Sequence, residues 1–159
     1  MNWNEYYEGF TTWEENDQID NLLTVDSLGP ADQVTDIIED FAGFHQDIAD
    51  LIARKAISQR LVFSARNIEY LTHTIDDESL EKLFKQSTDQ FSANDLDYLY
   101  GIVNDGLLVY AYKSKGYPLP RELYYYDESD DGNAKSKGKK KRSFLPQVSI
   151  KIAIDRDKK

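Results

Sequence analysis

Residues 63–85 are echoed by residues 91–113 at a constant spacing of 28. Phe63-Ser64-Ala65 aligns with Phe91-Ser92-Ala93. Ile68, Glu69, Tyr70, Leu71 and Ile75 align with Leu96, Asp97, Tyr98, Leu99 and Val103. Asp77, Leu80, Phe84 and Lys85 then align with Asp105, Leu108, Tyr112 and Lys113. A looser echo at a spacing of 34 pairs Pro30, Ala31, Val34, Ile37 and Phe41 with Ser64, Ala65, Ile68, Leu71 and Ile75. Ser64 and Ser92 stand where an N-cap side chain accepts a backbone N–H, and Asp95 completes a Ser-x-x-Asp capping pattern. Asp76-Asp77 and Asn104-Asp105 mark the place where one helix ends and the next begins. Each unit reads as a helix–turn–helix pair with more apolar face than it can bury alone, and tandem pairs bury it by stacking. The expected fold class is mainly α: a short α-solenoid or repeat-like bundle of about eight helices, with a C-terminal β-strand or hairpin.

The flanks fit that plan. Asn2 and Glu5 form a capping-box pattern, and Trp3, Tyr6, Tyr7, Phe10 and Trp13 recur at helical spacing as an aromatic stripe. A second short helix is expected over 17–27, with Ile19, Leu22 and Leu23 inward. Leu28-Gly29-Pro30 is a stop followed by a start, with Gly suited to the C′ position and Pro to a first turn. The third helix runs over 30–41, with Val34, Ile37, Ile38 and Phe41 on one face, and Gly43 ends it. The fourth holds Phe44, Ile48, Leu51 and Ile52, with Arg54 and Lys55 complementing the dipole of its last turn. Pro118 and Pro120 cannot continue the eighth helix, which should end near Gly116. Val148, Ile150, Ile152 and Ile154 alternate with polar or small residues, the period of a strand. A lone strand needs a partner. Residues 123–126 are the internal candidate, giving a hairpin, and another chain is the alternative. The domain reading is an acidic helical body over 1–116, a Tyr-rich, acidic and then Lys-rich flexible segment over 117–146, and a terminal strand over 147–159.

Composition excludes several chemistries. The chain has no cysteine, which removes disulfides and thiolate sites, and only two histidines, His45 and His73. No apolar run reaches the ~18 residues of a membrane span. No phosphate loop, dinucleotide fingerprint or nucleophile elbow appears. Asp127, Ser129, Asp131 and Gly132 sit as in a calcium loop, but the twelfth position is Gly138, and Lys135 and Lys137 oppose a cation. Asp76, Asp77, Glu78 and Glu81 are explained as anions at a helix N-terminus rather than as magnesium ligands. No metal, cofactor or catalytic residue is therefore assigned, and a non-enzymatic, cytoplasmic protein is expected.

Charge carries the functional reading. Residues 1–131 hold 27 acidic and 9 basic side chains, a net −18, whereas residues 132–159 hold 2 acidic and 10 basic, a net +8. A body so charged repels nucleic acid and attracts cationic surfaces. Candidate partner contacts are Asp36, Glu39, Asp40, Asp76, Asp77, Glu78, Asp95, Asp97 and Asp105. The alternative is an adaptor that binds phosphate through its tail, with Lys135, Lys137, Lys139, Lys140, Lys141 and Arg142 as contacts.

Asn-Trp-Asn-Glu-Tyr-Tyr at 2–7, Trp13, the Leu-Gly-Pro turn at 28–30, Leu-Ile-Ala-Arg-Lys-Ala at 51–56 and the Phe-Ser-Ala starts carry a resemblance. Over about residues 2–105 the chain resembles small acidic helical proteins of bacterial phages and conjugative elements. The resemblance brings no catalytic residues. It implies an accessory protein that binds host machinery, anti-CRISPR and other anti-defence inhibitors being of this kind. The expected partner is then a protein with a basic surface, such as a nuclease or CRISPR effector, bound through nucleic-acid mimicry.

Overall fold

The computed structural model describes residues 1–126. Its contacts divide the chain into two units, Met1–Leu119 and Pro120–Lys159. The first unit contains eight α-helices: α1 (Trp3–Gly9), α2 (Glu15–Leu22), α3 (Ala31–Phe41), α4 (Gln46–Ser58), α5 (Ala65–Leu71), α6 (Asp77–Ser87), α7 (Ala93–Leu99) and α8 (Asp105–Lys115). Short 3-10 turns at Phe10–Thr12 and Thr88–Gln90 follow α1 and α6. No strand occurs among the described residues.

The repeat is visible in the bounds themselves. Helices α5 and α7 begin and end 28 residues apart, as do α6 and α8. Helix α3 packs on α4, α5 on α6 and α7 on α8. The pairs then stack, with α3, α5 and α7 in one layer and α4, α6 and α8 in the other. The paired apolar positions fill the space between them: Val34, Ile37, Ile68, Leu71, Leu96 and Leu99 are all buried, as are Phe63 and Phe91 at the head of the repeats. The capping expected from sequence is present. Ser64 and Ser92 accept N–H bonds from Asn67 and Asp95, and Asn2–Glu5 and Ser92–Asp95 form full capping boxes.

Helices α1 and α2 lead the stack. The Trp3 indole donates to Gln33 at 2.8 Å, Tyr7 donates to Asp36 at 2.8 Å, and Phe10 meets Phe41 edge-on at 5.7 Å. Polar side chains also stitch successive pairs through backbone. Lys55 donates to the Val25 carbonyl, and Gln86, 31 positions later, donates to the carbonyls of Ala56 and Leu61 at 3.2 and 2.7 Å. The buried Ser87 hydroxyl accepts from Phe63 N–H at 2.8 Å and donates to the Leu83 carbonyl at 2.7 Å.

Four details differ from the sequence expectation. Helix α2 spans Glu15–Leu22, and Leu23, expected inward, is 63% exposed. The buried face of α4 is Ala49, Ile52, Ala53 and Ala56, whereas Phe44 and Leu51 point outward. Helix α4 lies against both α3 and α6, and small side chains permit that approach. Gly29 does not terminate α2, which has already ended. A Cβ there would lie 1.9 Å from Trp3 Cδ1, so the glycine makes room for the indole. In the second unit, residues 123–126 lie in a 3-10 turn (Arg121–Tyr126) instead of the extended hairpin arm. The strand expected over 147–159 and the Lys-rich run over 135–142 lie outside the described residues.

Gly29→Ala should lower the urea midpoint without changing the m-value. The overpacking cost is about 1–3 kcal/mol, read from Trp fluorescence during unfolding.

Candidate interaction surface

Short turns make α3, α5 and α7 antiparallel to α4, α6 and α8. The C-termini of the first set therefore share one edge with the N-termini of the second. The side chain of Gln46, at the start of α4, bridges this edge by donating to the Thr74 carbonyl at 2.7 Å. Three helices place acids in their first turn and bases in their last: Asp47 and Lys55 in α4, Asp77 and Glu78 with Lys85 in α6, and Asp105 with Lys113 and Lys115 in α8. That order favours each helix dipole. Because the three helices lie parallel, their first-turn carboxylates gather along the turn edge.

The other layer does not follow this order: α3, α5 and α7 have no base in the last turn, Glu69 and Asp97 stand near the ends of α5 and α7, and α3 carries the densest group of acids. Its C-terminal half carries Asp36, Glu39 and Asp40 and its last turn has no base. Carboxylates at a helix C-terminus oppose the dipole, and acids three and four apart repel each other. Partial burial, then repulsion from Asp36 and Asp40, holds the Glu39 carboxyl above its ordinary range. Partial burial and then Asp36 do the same for Asp40. Neither Glu39 nor Asp40 has an ion-pair partner among the described residues.

The other expected contact residues separate by role. Asp76 caps α6 by accepting from Ser79 N–H at 2.7 Å, and Asp95 serves the α7 capping box at the opposite edge. Glu78 pairs with Lys82 at 3.3 Å. Asp97 is exposed on α7, and Asp77 and Asp105 open α6 and α8. The structure thus brings Glu39, Asp40, Asp77 and Asp105 to one edge, ties Asp36 to Tyr7 of α1, leaves Asp97 exposed on α7, and sets Asp95 apart. The tail residues Lys135, Lys137, Lys139, Lys140, Lys141 and Arg142 lie outside the described residues.

Sequence reasoning missed the aromatic part of this surface. Phe44 is 85% exposed in the α3–α4 turn, and Tyr70, Tyr98, Tyr100 and Tyr110 are each at least a third exposed. The spacing contained a signal for two of them. Tyr70 and Tyr98 recur in register, and a tyrosine repeating beside acids belongs to the outer face. Tyr98 donates to Glu69 across the α5–α7 seam, as Tyr7 does to Asp36 across the α1–α3 seam.

Two cavities lie along the turn edge. One, of about 330 Å³, lies among Glu39, Glu69, Tyr70, His73, Thr74 and Ile102. The other, of about 440 Å³, is bounded by Asp77, Glu81, Lys85, Leu107 and Tyr110 and shares His73 and Ile102 with the first. His45 bonds Glu15 at 2.5 Å at a third hollow beside Phe44 and Asp40. No group of three potential metal ligands comes together among the described residues. No described helix is long and apolar enough to cross a membrane. The chain matches no family model, no curated protein and no solved structure.

The raised carboxyls of Glu39 and Asp40 fix the sign of a pH effect. Each binds its proton more tightly in the folded chain than in the unfolded one. The folded state therefore holds more protons just above the ordinary carboxylate range, and these groups make stability fall as pH rises through that window. Asp36→Asn removes a shared source of repulsion while keeping an acceptor for Tyr7. It should stabilise the fold at pH 7 by about 0.2–0.5 kcal/mol per relieved pair, read as a higher thermal midpoint. The gain should shrink in melts near pH 4.

Proposed function

We propose that the chain is a non-enzymatic interaction module whose carboxylate-rich face binds a basic, nucleic-acid-handling protein. The observation that carries this reading is the Asp36, Glu39 and Asp40 cluster of α3. It works against both the helix dipole and its own neighbours, while α4, α6 and α8 follow the dipole rule. A locally unfavourable arrangement held on a well-packed helix marks a place where function outweighs stability. Acidity for solubility alone needs no such placement.

The partner's chemistry follows from what surrounds the cluster. Carboxylates on successive parallel helices present a regular array of negative charge, which suits a surface built to hold a phosphate backbone. A nuclease or CRISPR effector fits that description, and occupying its groove would inhibit it. Exposed aromatics among the acids supply the apolar anchors that protein interfaces use. Electrostatic steering would make association fast and salt-dependent.

The test is binding to a basic nuclease across a salt series. Affinity should fall at least tenfold between about 50 and 300 mM salt, a range over which screening shortens steeply. The triple variant Asp36→Asn, Glu39→Gln, Asp40→Asn should weaken binding at least tenfold at low salt while melting no lower than the parent. Salt-independent affinity would contradict the reading.

A further inference from the structure

Helices α2 and α4 run side by side in the same direction. Glu15, the first residue of α2, meets His45 at the start of α4 at 2.5 Å. Val25 and Asp26, just past the end of α2, accept through their carbonyls from Lys55 and Gln59 at the end of α4. Each helix carries an apolar stripe along this boundary. On α4, Phe44, Ile48 and Leu51 precede Lys55 at spacings of four, three and four, so the stripe lies beside the side chain that reaches α2. On α2, Ile19 and Leu23 follow Glu15 at spacings of four, beside the side chain that reaches α4. These stripes are left uncovered. Phe44 is 85% exposed, Leu23 63% and Leu51 36%, and Ile19 and Ile48 are half-buried. Helix α4 packs closely on α3 and α6, and α2 approaches it less closely. A hollow of about 360 Å³, with Glu15, Gln18, Phe44 and His45 among its walls, lies where the gap begins. Apolar side chains at helical spacing on two neighbouring helices, left outside the core, form a groove of the kind that takes a helix.

The charge around the groove selects its occupant. Helices α2 and α4 carry Glu15, Asp17, Asp20, Asp47 and Asp50 against two bases, Arg54 and Lys55, and Lys55 is committed to the Val25 carbonyl. A second copy of the chain would bring the same carboxylates against these, within a body of net −18 over residues 1–131. An anionic lipid surface is repelled in the same way. We propose that the groove between α2 and α4 receives a cationic amphipathic helix of the basic partner. Its apolar stripe lies against Leu23, Phe44 and Leu51, and its lysines and arginines meet the acids of both helices. The distance from Phe44 to Lys55 accommodates about three helical turns. This rests on the reading of the chain as a binder of basic proteins, and it names the element by which the partner is held. A helix seated in an apolar groove gives the complex a register that charge matching alone lacks.

The test uses two fluorescein-labelled eighteen-residue peptides of identical composition, made of leucine, alanine, lysine and arginine. One places its leucines on a single helical face, and the other scatters them. The anisotropy of each is titrated with the full chain. The striped peptide should bind at least tenfold more tightly than the scattered one. Leu23→Ser with Phe44→Ser should reduce it to the level of the scattered peptide at an unchanged thermal midpoint, because both side chains are exposed and lie just outside the ends of α2 and α4. In the parent chain, the backbone amide resonances of α2 and α4 should move first as striped peptide is added. Equal affinity for the two peptides, or shifts confined to the acids of the turn edge, would overturn the groove and leave the acidic-surface reading standing. A parent chain that sediments as a dimer, and as a monomer in the double variant, would overturn it in favour of a second copy. Absence of any salt-sensitive binding of either peptide would overturn both readings.

Discussion

Burial of a shared apolar face between neighbouring helix pairs is the interaction on which this structure depends. A pair such as α5 and α6 has apolar side chains on more than one side. Ile68 and Leu71 need Val34 and Ile37 before them and Leu96 and Leu99 after them. Covering one face with the next copy of the same motif solves the problem once per repeat. The stitches from Lys55, Gln86 and Ser87 then satisfy carbonyls and amides that stacking would otherwise bury without partners. With the inner positions committed to packing, the outer positions and the turn edge are free to carry charge.

The stack also converts a local rule into a long-range field. Acids at N-termini and bases at C-termini each give a single helix a few tenths of a kcal/mol. Parallel alignment of α4, α6 and α8 adds those choices together, so their first-turn carboxylates gather along one edge. Helix α3 contributes acids to the same edge from its C-terminal half, at a cost to its own stability. The stack can carry that cost because α3 is anchored by Phe41, Ile38 and Ile37 in the core and by α1 through Trp3 and Tyr7. Packing energy collected inside thus sustains an electrostatic arrangement outside that an isolated helix would reject.

How far this was legible from sequence depended on side-chain size and spacing. Helices α5 to α8 could be read because two copies of one motif keep an identical register, including their serine and Asp/Asn caps. Helix α4 was harder. Its buried face relies on Ala49, Ala53 and Ala56, and alanines give a weak apolar signal beside Phe44 and Leu51, which in fact face outward. Gly29 looked like a helix stop because a glycine's tolerance of a close indole leaves no mark in the chain. The acids of the candidate surface were legible as residues but not as a set. Composition cannot tell a cap such as Asp95 from a group such as Asp40, which has no ion-pair partner among the described residues. Pairing across seams, as between Tyr98 and Glu69, links residues 29 positions apart and appears only when the repeat is folded.

Native-state hydrogen exchange tests the stacked-pair account most directly, because it reads each helix by its own opening free energy. Helices flanked on both sides, α5 and α6, should be the slowest to exchange, and α1, α2 and α8 at the ends of the stack should be faster. Uniform protection from α1 to α8, or fastest exchange in α5 and α6, would show that the pairs are not held by their neighbours and would contradict the account.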